Sequence, residues 1–147
     1  MRSETSTRIT LWVNRFITAL LCVLIFIMPK ILDWYVQVRP LGRPGATAIL
    51  VGFYVCAPVV LYALWVIDRL LGNILAGHVF VSDNVRRIRQ LRWCCAGVSL
   101  VCLPAAVFYL PLIFLAVIMA FLALVISVVK NVMAAAVELR EENELTI

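Results

Sequence analysis

Residues 93–129 run for 37 positions without one charged side chain. A soluble domain of 147 residues has no interior large enough to hide such a segment, so the run belongs in lipid. About 20 apolar residues cross roughly 30 Å of hydrocarbon, and residues 11–29 and 46–67 each supply that length. A single helix over 93–129 would measure about 55 Å at 1.5 Å per residue. Pro111 lacks an amide hydrogen and its ring clashes with the preceding turn, so Tyr109-Leu110-Pro111 is the expected break, leaving spans at 93–109 and 112–132. The expected architecture is all-α: a four-span transmembrane helix bundle forming one domain over residues 1–147. A cytoplasmic middle segment falls at 68–92 and a cytoplasmic tail at 133–147. Three spans plus a buried hairpin, or one kinked helix across the long run, are the competing readings. Segment one has the core length of a signal peptide, but the stretch from Pro29 to Trp34 lacks a small-x-small cleavage pattern, and it reads as a retained helix.

Basic residues orient the spans. In the four-span reading Arg2, Arg8, Arg15, Arg69, Arg86, Arg87, Arg89, Arg92, Lys130 and Arg140 share one side, and Lys30, Arg39 and Arg43 the other. Lys and Arg near span ends are retained in the cytoplasm, so both termini and the middle segment are expected there. Trp12, Trp34, Tyr35, Trp65, Trp93 and Tyr109 fall near span ends, where aromatic anchors belong. The net charge of +5 then follows from orientation and contact with anionic lipid headgroups. Direct nucleic-acid contact is not expected, because no folded module surrounds the arginines and Asp68 and Asp83 dilute them.

No catalytic, metal or cofactor constellation is present in the sequence. The cysteines Cys22, Cys56, Cys94, Cys95 and Cys102 lie in or beside apolar segments, there is no CxxC, and the lone His78 has no second ligand at metal spacing. Hydrolysis would need a nucleophile with a base or a metal-activated water, and Ser99 and Ser127 have no histidine at their depth. The chain is read as a non-enzyme without cofactors.

The polar segments carry more detail. Residues 1–10 are expected to be disordered or frayed, and residues 30–45 to form the larger external loop. Helix two is expected to continue to Leu75 through Leu70, Leu71, Ile74 and Leu75, with Gly77 ending it, Phe80 packing under the turn, and Ser82 capping the next helix. Asn84 has loop carbonyls within reach, and Asp83 can pair with Arg87 at i,i+4. The tail is amphipathic, with Val132, Met133, Ala136 and Leu139 on one side and Glu138, Arg140, Glu141, Glu142 and Glu144 on the other. Its acids oppose the basic middle segment, so contact between them is expected. Asp68, Lys130 and Asn131 form a second candidate cluster at the cytoplasmic edge.

Small residues mark helix contacts in membranes. Cys95, Ser99, Cys102 and Ala106 share one face of span three, and Ala116, Ala120, Ala123 and Ser127 one face of span four. The two sets mirror each other about Pro111, so Cys102 is expected opposite Ala120 and Ser99 opposite Ala123.

Two strings carry a family likeness: Gly77 through Ile88, and Val129-Lys130-Asn131-Val132 with Ala136 through Ile147. They resemble the uncharacterised DUF2975-type family of small bacterial four-helix membrane proteins that includes the YoaS-like proteins. The resemblance implies a multi-pass protein of the bacterial cytoplasmic membrane encoded beside a small helix-turn-helix regulator, hence the membrane half of a regulatory pair. It supplies no active-site residues, and His78 departs from a position that is usually acidic or polar. The candidate contacts for a partner or lipid are Arg86, Arg87, Arg89, Glu138, Glu141, Glu142, Leu145 and Ile147. The expected function is a membrane regulator or adaptor acting through a cytosolic DNA-binding partner. A small oligomeric channel or transporter, requiring a homo-oligomer, is the alternative.

Overall fold

A computed structural model describes residues 2–146. It has four helices, α1 (Arg2–Val38), α2 (Arg43–Leu75), α3 (Ser82–Ala105) and α4 (Leu112–Thr146), and no strand among the described residues. Helices α1, α2 and α4 are long and apolar enough to cross a membrane. The helices pack serially: α1 on α2, α2 on α3, α3 on α4, with no other pair of helices in close backbone contact among the described residues. Among the described residues the four helices thus form an open row, with α1 and α4 at its two ends. In water such a row would expose its apolar faces at high cost, whereas lipid tails are as apolar as leucine and exert no comparable drive to close it.

Helix α1 is longer than expected at both ends. Residues 2–10 are helical, since extension from a formed helix adds a hydrogen bond for each residue ordered, and Thr7 and Thr10 fold their hydroxyls back onto the Ser3 and Ser6 carbonyls at 2.9 Å. At the other end the helix runs through Pro29 to Val38. Pro29 has no N–H for the carbonyl of Ile25, four residues earlier. The Tyr54 hydroxyl of α2 donates to that carbonyl instead, at 2.9 Å, so the chain passes the proline without leaving a bare acceptor in an apolar environment. The helix stops just before Arg39, which precedes Pro40 and is disfavoured from helical geometry. The expected external loop at 30–45 therefore shrinks to Arg39-Pro40-Leu41-Gly42, and Pro44 sits in the first turn of α2, where its missing N–H costs nothing.

The α1–α2 seam is directed by polar groups. Asn14 is buried and donates to the Leu64 carbonyl at 3.1 Å, and Arg15 pairs with Asp68 at 3.0 Å. The α3–α4 seam is built from small side chains. Val98, Cys102 and Ala116 form its buried centre, with Cys56, Val59, Val60 and Met119 packed around them, and the Ser99 hydroxyl donates to the Ala116 carbonyl at 2.8 Å. This register differs from the mirror about Pro111: Ser99 meets Ala116 rather than Ala123, and Ala120 is exposed. The reason lies in the hairpin tip. Helix α3 already ends at Ala105 while α4 starts at Leu112, so the hairpin is centred before the proline.

The tip also shows how an apolar turn survives without polar side chains. Val107, Phe108, Leu112, Ile113 and Phe114 each donate to the carbonyl three residues earlier. These tight turns satisfy the backbone internally, as a nonpolar environment demands. The Tyr109 hydroxyl meets that of Tyr35 at 2.9 Å, which brings the tip level with the end of α1. Arg15–Asp68 and this tyrosine pair mark two polar levels about 30 Å apart along α1, at 1.5 Å per residue.

Candidate functional site

The base of the molecule, opposite the tyrosine pair, gathers the α2–α3 connection, the first turns of α3 and the tail of α4. The connection is a rigid piece. Gly77 adopts φ +86, a left-handed conformation that glycine enters without strain. Around it the Gly77 N–H donates to the Ile74 carbonyl at 3.1 Å and the His78 N–H to the Asn73 carbonyl at 3.0 Å, the paired bonds of a Schellman helix end. Gly77 thus ends α2 as its position in the sequence predicts. Ser82 does not cap α3: Val81 holds the cap position in extended geometry, with no side-chain cap bond, and Ser82 is the first helical residue.

Asn84 supplies what the cap does not. It is 0% exposed, its amide donates to the carbonyls of His78 and Val79 at 2.8 and 2.9 Å, and its oxygen accepts from Asn73 at 3.0 Å. A buried amide with its groups so used locks the end of α2 to the start of α3. Sequence reading reached Asn84 but not Asn73, whose only signal was its place four residues before Gly77.

The candidate contact residues surround this piece. Arg87 pairs with Asp83 at 2.9 Å, as the i,i+4 spacing predicts. Arg86 and Arg89 are exposed and form no ion pair among the described residues. Arg92, at the upper edge, donates to the Ser127 hydroxyl at 3.1 Å and lies over the Trp93 ring. On α4, Val137 is buried, Met133, Ala134 and Ala136 are half-buried, and Val132 and Leu139 are exposed. The packed face is therefore rotated from the one the apolar residues outlined.

Glu138, Glu141 and Glu142 are exposed and have no cation partner among the described residues. The expected contact between the acidic tail and the basic segment is made by other groups. Arg140 reaches the Phe80 carbonyl at 3.5 Å and holds Glu144 at 3.3 Å. Phe80, rather than packing under the turn, is half open and lines a shallow groove of about 390 Å³ with Ala136, Leu139, Arg140, Asn143 and Glu144. Leu145 beyond it is 88% exposed, and Ile147 lies outside the described residues. The cluster of Asp68 with Lys130 and Asn131 does not form among the described residues: Asp68 on α2 pairs with Arg15, and α2 makes no close backbone contact with α4, which carries Lys130 and Asn131. No group of three or more potential metal ligands occurs among the described residues.

Taken together these features define an all-α protein with three helices able to span a membrane and a polar base carrying unpaired charge of both signs. It belongs to the DUF2975 family of proteins of unknown function, whose family model matches residues 28–147. Neither the curated proteins nor the solved structures include a match to the chain. The match begins at Met28, so Asn14 and Arg15 lie in the part of α1 outside it.

Proposed function

We propose that this chain is a non-enzymatic regulatory or adaptor protein of the bacterial cytoplasmic membrane that receives a cytosolic partner on the tail of α4. The observation that carries the reading is the surface at the base. Glu138, Glu141 and Glu142 have no intramolecular partner among the described residues, and they flank the apolar Leu139 and Leu145 beside the Phe80 groove. Charged side chains around exposed apolar ones suit an amphipathic basic segment, which would bury the leucines and pair the carboxylates. A small helix-turn-helix regulator is a partner of that chemistry, and the membrane protein itself makes no contact with DNA.

The reading places both termini and the α2–α3 connection in the cytoplasm, by the excess of Arg and Lys at that end. It also treats α3 as a fourth crossing. The charge-free part of α3, Trp93–Ala105, covers only about 20 Å. The compact tip then carries the chain on to the level of Tyr35, which supports a full traverse by helix plus tip.

The test is affinity capture of the tagged protein from native membranes in mild detergent, with and without residues 138–147. A stoichiometric cytosolic partner is expected with the full chain and absent with the truncated one, while membrane insertion is unchanged. Equal recovery of the partner with both forms overturns the tail reading. One observation favours the alternative of a small oligomeric channel or transporter: the open row leaves α1 and α4 free to meet other copies. Saturable flux in liposomes would establish it. The charged side chains near the midplane that are usual in transport pathways are replaced here by Tyr54, Tyr62, Ser99 and thiols, and the Tyr54 hydroxyl is spent on Ile25.

A further inference from the structure

The geometry points to a phospholipid site in the seam between α2 and α3, at the end of the molecule opposite the base. Two adjoining hollows form one furrow there. The inner one, about 420 Å³, is lined by Ala48, Val51 and Gly52 of α2 and by Leu100, Val101 and Pro104 of α3. The outer one, about 430 Å³, shares Ala48, Val51 and Phe108 with it and opens at Arg43. The furrow is thus apolar within and cationic at its mouth, the pattern of an acyl chain below a phosphate.

Charge complementarity selects the ligand. Lys30, Arg39 and Arg43 are the cations of this end and Asp33 is its one acid. None of the four forms an ion pair among the described residues. An exposed guanidinium at the edge of hydrocarbon binds a phosphate oxygen through charge-assisted hydrogen bonds. Behind the furrow the two helices are packed, Cys56, Val59 and Val60 against Val98 and Cys102, so the furrow is a surface hollow along which a hydrocarbon chain can lie beneath its headgroup. At the floor, a Cβ on Gly52 would meet nothing within 4 Å, which leaves room for methylene groups. The occupant is a phospholipid of the adjoining leaflet with an anionic headgroup. This inference uses the membrane placement of α2 and is independent of the tail reading.

The test uses the full chain reconstituted in vesicles of equal parts phosphatidylcholine and phosphatidylglycerol, then extracted in mild detergent and weighed by native mass spectrometry. Wild type is expected to retain phosphatidylglycerol in preference to phosphatidylcholine. Gly52→Leu, which adds bulk to the lining of the inner hollow at a position where the added Cβ meets no atom within 4 Å, is expected to lose it, and Ala48→Leu serves the same purpose if that variant fails to insert. Arg43→Gln should lower retention about fivefold, the worth of one cation near an anionic surface. Ala120→Leu, on the exposed side of α4, should change nothing. Equal retention by wild type and both filled variants overturns the site, since the lipid would then be nonspecific. Retention of added palmitate in place of phosphatidylglycerol overturns the headgroup assignment. Loss of self-association in the filled variants, with lipid unchanged, would assign the furrow to a second copy.

Discussion

The α1–α2 and α3–α4 seams solve the same problem by different means. Apolar helices in lipid gain nothing from hiding apolar surface, so each pair needs another reason to stay together. Helices α3 and α4 approach closely through small residues, with Ala116 1% exposed at the centre and the Ser99 bond beside it. Helices α1 and α2 are joined at discrete points instead: Asn14 to the Leu64 carbonyl, Arg15 to Asp68, and Tyr54 to the carbonyl that Pro29 leaves free. Close packing fails when volume is added anywhere along the seam. Pointwise bonding fails one bond at a time and tolerates bulk between the points.

The contrast can be broken most severely at Ala116. Ala116→Leu is expected to cost about 1–3 kcal/mol through overpacking, and the displaced backbone would weaken the Ser99 bond as well. Thermal unfolding in detergent, followed by size-exclusion chromatography, checks this; a wild-type midpoint would refute the close-packed seam.

Tyr54→Phe is expected to cost about 1 kcal/mol, the usual worth of an interhelical hydrogen bond in a membrane protein. The sharper measurement is the double-mutant cycle with Pro29→Ala. Replacing the proline restores an N–H for the Ile25 carbonyl, so in that background Tyr54→Phe should be nearly silent. An undiminished cost would show that Tyr54 acts by packing rather than through the orphaned carbonyl.

Asp68→Asn should cost about 0–1 kcal/mol, because its partner Arg15 is 59% exposed and water screens the pair. The same stability measurement in low and high salt should show the difference shrinking as salt rises.

The smallest effect is expected at Ala120. The mirrored spacing of small residues makes Ala120→Leu disruptive, whereas its exposure limits the change to about 0.5 kcal/mol. A large loss of stability would restore the register centred on Pro111.

These seams show where sequence reading reached and where it stopped. Helix identity was legible from apolar length, and the end of α2 from Gly77, because both depend on neighbours along the chain. The Asp83–Arg87 pair was legible for the same reason. Register was not: the small face of span three was read correctly, with Cys95, Ser99, Cys102 and Ala106 all buried, but of the span-four set only Ala116 is buried, because the alignment depends on the tip, whose turns are made of backbone bonds that apolar side chains do not advertise. Nor was the passage through Pro29 legible. A proline after a long apolar run reads as an end until a donor from another helix is known to meet the freed carbonyl. At the candidate site, exposure of Glu138, Glu141 and Glu142 agreed with their charge, while Arg140's reach to Phe80 depended on how α4 lies against the α2–α3 connection.

By itself the sequence determined a helical chain with stretches apolar enough to cross a membrane, the approximate helices, the break near Pro111 and the capping glycine, since hydropathy and local sterics act over a few residues or one helix length. Only the tertiary structure decided the open row of helices, the register of the hairpin, the Asn84 lock and the rescue of the Ile25 carbonyl by Tyr54. Each of these joins residues that local pattern does not connect. In lipid, where burial no longer selects one packing over another, the choice falls to close contacts and hydrogen bonds between separate elements.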